Sequence, residues 1–76
     1  MNALDEAKDV LSGCLFIPKE KIGDDASIQS IKQMDSLSFA TVVLEIEGRV
    51  GREIDAVDLL GLRTVRDIAG LLERYR

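Results

Sequence analysis

Seventy-six residues and 8.4 kDa allow one domain, and 46% hydrophobic against 32% charged residues is a globular balance, not a disordered or fibrous one. With no His and one Cys, Cys14, the chain lacks the usual general base, Ser-His triads, the commonest metal ligand and any internal disulfide. Three aromatics (Phe16, Phe39, Tyr75) and a net charge of −4 leave an aliphatic core and exclude stacking or basic platforms for nucleic acid.

The charge is uneven, because all four lysines and nine of the 14 acids precede Arg49, while the rest of the chain holds six arginines. An acidic front half suits basic partners. No apolar run reaches the ~20 residues that span a bilayer, so no membrane association is expected. The segment from Met1 to Asp9 has neither signal nor transit character, and a reduced, cytoplasmic setting is expected. At this size, burial at ~25 cal/mol per Å² roughly cancels an ordering cost of ~1.5 kcal/mol per residue, which predicts a marginal, adaptable fold.

From Asn2, the residues Leu4, Ala7, Leu11, Cys14 and Leu15 recur at helical spacing, with Val10 on the flank. Asn2 suits an N-cap, Asp5 and Glu6 suit the positive helix end, and Pro18 forces a stop, already near Gly13 to Leu15. Residues 18–34 show no sustained period. Gly23-Asp24-Asp25 is turn chemistry, and Ile22, Ile28 and Ile31 are isolated anchors that would pin a long connection across the helices.

A second helix opens at Asp35-Ser36, with Asp35 as N-cap. Phe39, Val42, Val43, Ile46 and Val50 fall on one arc, and Ser38, Thr41, Glu45 and Arg49 on the opposite one; Gly48 and Gly51 leave its end loose. Leu37, Ala40 and Leu44 form a separate apolar strip beside Ser36, with Glu47 at its edge. Periodicity allows either a helix buried on two sides or an exposed contact strip. Asp55 can cap a short helix, Ala56 to Leu60, stopped by Gly61. Thr64 to Asp67 reads as a capping box opening a last helix, on which Val65, Ile68, Leu72 and Tyr75 share a face joined by Ala69. The expected fold is all-α: a four-helix bundle of three longer helices and one short one, with a long loop between the first two, forming one domain over residues 1–76.

Little intrinsic chemistry is available. Asp24-Asp25 and the Asp5, Glu6, Asp9 group lack the spacing of a calcium loop, and Gly48 to Gly51 follows a helix and lacks the ending of a phosphate loop. Cys14 reads as a small core residue. Ser36 has no internal base to make it an enzymatic nucleophile; it is a favourable first-turn residue or an accessible site for modification by another protein. No enzymatic activity and no resident metal are expected.

The motif Asp35-Ser36-Leu37, opening an apolar helix after a long loop, resembles the attachment motif of acyl carrier proteins. The resemblance extends over nearly the whole chain, through Ala26-Ser27-Ile28, Glu53-Ile54 and Thr64-Val65. It implies that a phosphopantetheinyl transferase attaches 4′-phosphopantetheine from coenzyme A to Ser36, whose thiol then carries an acyl group as a thioester between acyl-loading and acyl-processing enzymes. It also implies that Asp35 assists recognition or metal-assisted loading, that Leu37, Ala40, Leu44 and Glu47 meet partner enzymes, and that Glu45 adds a charge contact. A monomer is expected. Gln33 and Met34 stand before Asp35, where many relatives have a Gly two positions ahead of it, and Ser38 and Thr41 replace common acidic residues. These departures point away from the housekeeping fatty-acid carrier and toward polyketide or other secondary-metabolite assembly. The Gly-Gly-x-Ser pattern of peptidyl carriers is lacking, although an aminoacyl or peptidyl cargo is an alternative. A further alternative is an unmodified interaction module using the Leu37/Ala40/Leu44 strip.

Overall fold

The three longer helices begin where a side chain accepts from their otherwise unpaired N–H groups. The protein is described by a computed structural model covering residues 2–31 and 34–76. Among these residues the order is α1 (Ala3–Leu15), 3₁₀ turns at Lys19–Lys21 and Ile28–Ser30, α2 (Ser36–Val50), α3 (Ala56–Leu60) and α4 (Val65–Tyr75). Asn2 Oδ1 accepts from the Asp5 N–H at 2.8 Å, and Asp35 Oδ1 from the Ser38 N–H at 2.8 Å. Thr64 and Asp67 close the expected capping box, the Asp67 carboxylate accepting from the Thr64 N–H at 3.0 Å.

The ends are less uniform. Gly51 terminates α2 at φ 79°, donating its N–H to the Glu47 carbonyl at 2.8 Å; Gly48 lies inside the helix. The cap of α1 is Phe16 at φ 58°, a left-handed position that a bulky side chain rarely takes. Gly61 ends α3 in right-handed backbone, its N–H donating to the Asp58 carbonyl at 3.3 Å. The expected Asp55 side-chain cap does not form. Its backbone carbonyl takes the Asp58 and Leu59 N–H groups instead, at 3.0 and 3.2 Å.

The core is aliphatic throughout. Ala7, Val10, Leu11 and Leu15 of α1 meet Val42 and Ile46 of α2 and Val65, Ile68, Ala69, Leu71 and Leu72 of α4. Because α1 packs on both α2 and α4, its buried arc is wider than one periodic stripe. Val10, expected on the flank, is central and 1% exposed, whereas Leu4 and Cys14 sit half-buried at the margins. Leu71 likewise joins the core beside the expected α4 face.

Ile22 and Ile28 are buried, so the long connection is anchored as expected. It is stitched to the start of α4 by backbone bonds, Ile28 N–H to the Arg63 carbonyl at 2.8 Å and Val65 N–H to the Ala26 carbonyl at 3.0 Å. The Asp24-Asp25 turn is engaged by Lys8 and by Arg66, which reaches Asp25 at 2.7 Å. The radius of gyration is 11.0 Å, against about 11 Å for a compact chain of this length.

Candidate functional site

Ser36 is exposed in the first turn of α2. Its neighbour Asp35 is fixed by its own capping bond. The Ser38 backbone N–H, and secondly its hydroxyl, hold the Asp35 carboxyl below its ordinary value, so it is ionised at neutral pH. Ser36 therefore stands where unpaired N–H groups and the positive helix end favour an added negative group, with a carboxylate beside it.

A cleft of about 330 Å³ opens beside this hydroxyl. Met34 and Phe39 line it from the α2 side, Leu59, Leu60 and Leu62 from α3 and the turn after it, and Ile28 from the long connection. Larger clefts of about 530 and 540 Å³ border Phe16, one against Lys21 and Ile31 and the other between α1 and α2, but neither reaches Ser36. The Gln33 departure lies outside the described residues.

The structure also settles how α2 is oriented. Val42 and Ile46 are fully buried, while Leu37 and Leu44 are 76% and 67% exposed and Ala40 is exposed with them. The strip faces solvent. The arc of Ser38, Thr41, Glu45 and Arg49 was expected opposite the core, yet it flanks α1. Arg49 reaches from it to Glu6 at 3.4 Å, and the Cys14 thiol approaches the Thr41 carbonyl at 4.0 Å. At that seam burial, then the Glu45 charge, pushes the Cys14 thiol up. Cys14 is thus a half-buried seam residue and not part of the core. Leu37, Ala40 and Leu44 lie farthest from the core, while Thr41 and Glu45 are exposed along the α1 side of the helix.

Of the other expected contact residues, Glu45 is held by Arg49 at 2.8 Å and Glu47 accepts the Ile54 N–H at 3.0 Å. Glu47 therefore ties the segment after α2 to the helix. Sequence reasoning missed Leu60 and Val57, which are 83% and 79% exposed. A five-residue helix is too short for periodicity to reveal its outer face. It also missed Glu6, whose side chain is 11% exposed and clasped by Arg76 at 2.5 Å and Arg49 at 3.4 Å.

An exposed serine thus follows the Asp35 cap at the start of α2, beside a cleft with apolar walls. Residues 5–72 match the family model described as a phosphopantetheine attachment site, and the chain belongs to that family. It is a phosphopantetheine-bearing carrier, itself non-catalytic, of the kind that a phosphopantetheinyl transferase modifies. The residues present fit the group: a hydroxyl free to solvent, donors at a helix end for a phosphate, and an adjacent apolar wall. Among the described residues no helix is long and apolar enough to cross a membrane.

Proposed function

We propose that Ser36 Oγ is the attachment point and that residues 1–76 act as one carrier domain, presenting an acyl thioester to successive enzymes. The bound arm supplies a thiol for the thioester. The chain's own residues do the rest. The start of α2 orients the Ser36 hydroxyl outward, the N–H groups there stabilise a phosphodiester, and Asp35 keeps a negative charge that a metal-assisted transferase can use. Met34, Phe39, Leu59 and Leu62 offer an apolar wall that shields a short acyl chain from water.

The observation that carries this reading is the exposed Ser36 at the opening of α2, in a chain that matches the attachment family over most of its length. Leu37, Ala40 and Leu44 are the proposed contact strip for the transferase and the acyl-processing enzymes, with Glu45 and Glu47 at its borders. Because the exposed turn above Ser36 is apolar and lacks acidic residues, we favour a specialised polyketide or other secondary-metabolite route over housekeeping fatty-acid synthesis. An aminoacyl cargo would use the same serine.

The test is intact mass after incubation with coenzyme A, magnesium and a broad-specificity phosphopantetheinyl transferase. One phosphopantetheine is expected on the native chain and none on Ser36→Ala. A native chain that gains nothing removes the reading and leaves the strip as an unmodified interaction surface, and a gain that survives Ser36→Ala removes Ser36 as the attachment point.

A further inference from the structure

Helix α3 contains no buried residue, and its expected Asp55 side-chain cap is missing. Burial sets its place only in part, through half-buried Leu59 and the flanking Ile54 and Leu62. The Tyr75 side chain at the end of α4 adds polar contacts to α3 from one atom. Its hydroxyl donates to the Asp58 carboxylate and accepts the Asp55 N–H at 3.0 Å. It thereby meets both the start and the middle of α3. Arg74 adds a bond to the other Asp58 oxygen at 2.6 Å. Arg52 holds the tyrosine itself: its guanidinium lies 4.6 Å over the ring, and its Nε donates to the Tyr75 carbonyl at 3.1 Å. The same helix contributes Leu59 and Leu60 to the cleft beside Ser36.

We propose that the Tyr75 hydroxyl is a latch that positions α3 and thereby sets the width of the cleft beside Ser36. Tyr75 is a positioning residue here. It does not line the cleft; it acts through Asp55 and Asp58. Because the latch is polar and lies at the surface, it opens at far lower cost than the aliphatic core does, so α3 can move while α1, α2 and α4 stay packed. The inference about the cleft rests on the proposed attachment at Ser36, whereas the latch itself does not.

The experiment separates the two. Amide hydrogen exchange on the unmodified full chain compares the native protein with Tyr75→Phe, which deletes only the hydroxyl. Amides of residues 55–60 are expected to exchange about tenfold faster while buried α1 and α2 amides keep their rates. Asp58→Ala should reproduce the pattern, and the double variant should add little to either. Unchanged exchange, or acceleration spread evenly over the bundle, overturns the latch.

The second readout loads an octanoyl group from octanoyl-coenzyme A through the transferase and follows cleavage of the thioester by hydroxylamine. Cleavage about two- to threefold faster in Tyr75→Phe supports the coupling. Local exchange changes with unaltered cleavage overturn it. If the native thioester is cleaved as fast as free octanoyl-pantetheine, the shelter assigned to the cleft fails, and exchange still decides the latch.

Discussion

Two faces of this bundle are built from different physics. The α1–α4 pairing is dry: Leu11, Val65, Ile68 and Leu72 are essentially fully buried, and the register is fixed by shape. The face formed by α3 and the outer side of α2 buries little. Leu37, Leu44, Val57 and Leu60 point to water, and α3 is held by hydrogen bonds from Tyr75 and Arg74. Apolar area removed from water scales with stability, so the first face carries the fold. The second is free to meet partners and to shift. A carrier needs both: a scaffold that survives many encounters, and a surface whose contacts are not already used internally.

The contrast is broken most strongly by a matched pair of leucines. Leu11→Ala leaves a cavity at the centre of the dry face and is expected to lower unfolding stability by about 2–4 kcal/mol in urea titrations. Leu44→Asp creates no cavity; helix propensity alone costs about 0.5 kcal/mol. Its effect is expected in the transferase reaction, where kcat/KM should fall about tenfold with the fold intact. Equal stability losses would mean that α2 is buried on its outer side after all. A normal transferase rate in Leu44→Asp would remove the strip from the interface.

A smaller effect tests the polar seam by which Glu6 of α1 meets Arg49 of α2 and Arg76 after α4. Arg76, foremost, and Arg49 hydrogen-bond Glu6 and hold its carboxyl below its ordinary value of 4.5, against the opposing effect of burial. A carboxylate with a depressed folded-state value contributes stability that is fully present well above pH 4.5. That contribution is lost as the pH falls through the folded value. Glu6→Gln should therefore destabilise the chain by about 1 kcal/mol near neutrality, because both arginines can turn to solvent when the charge is gone. The gap from the native protein should close as the pH falls through that depressed folded-state value. A gap that persists in acid would show that packing of the Glu6 stem, not its charge, is what the substitution removes.

How much of this was legible in the sequence depends on the kind of interaction. Asn2, Asp35 and the Thr64–Asp67 box announce helix starts because capping is local, acting within three residues. The Asp35-Ser36-Leu37 motif was readable for the same reason. The side of α2 that faces solvent was not, since Leu37, Ala40 and Leu44 are as apolar as the residues that pack, and only the placement of α1 and α4 decides between them. Glu6, Tyr75 and Asp58 were hidden more deeply. Their partners lie 70 and 17 positions away, and no spacing rule relates an acid in the first helix to an arginine at the end of the chain.

Phe16 is the case where the sequence and the backbone disagree. The end of α1 takes a left-handed residue, which glycine accepts without strain and an L side chain accepts at about 1–2 kcal/mol. Phe16 meets this cost without compensating burial, since it is 92% exposed. Glycine would relieve the strain but give the unfolded chain more freedom, which returns part of the gain. Phe16→Gly is therefore expected to stabilise the protein by about 0.5 kcal/mol in urea unfolding with an unchanged slope. A loss of stability would mean that the ring, which borders the clefts on either side of it, packs in solution in a way its exposure does not suggest. A gain would leave the strained phenylalanine as a surface feature whose presence folding does not require, and would set it with Leu37 and Leu44 among the exposed apolar groups that stability alone does not explain.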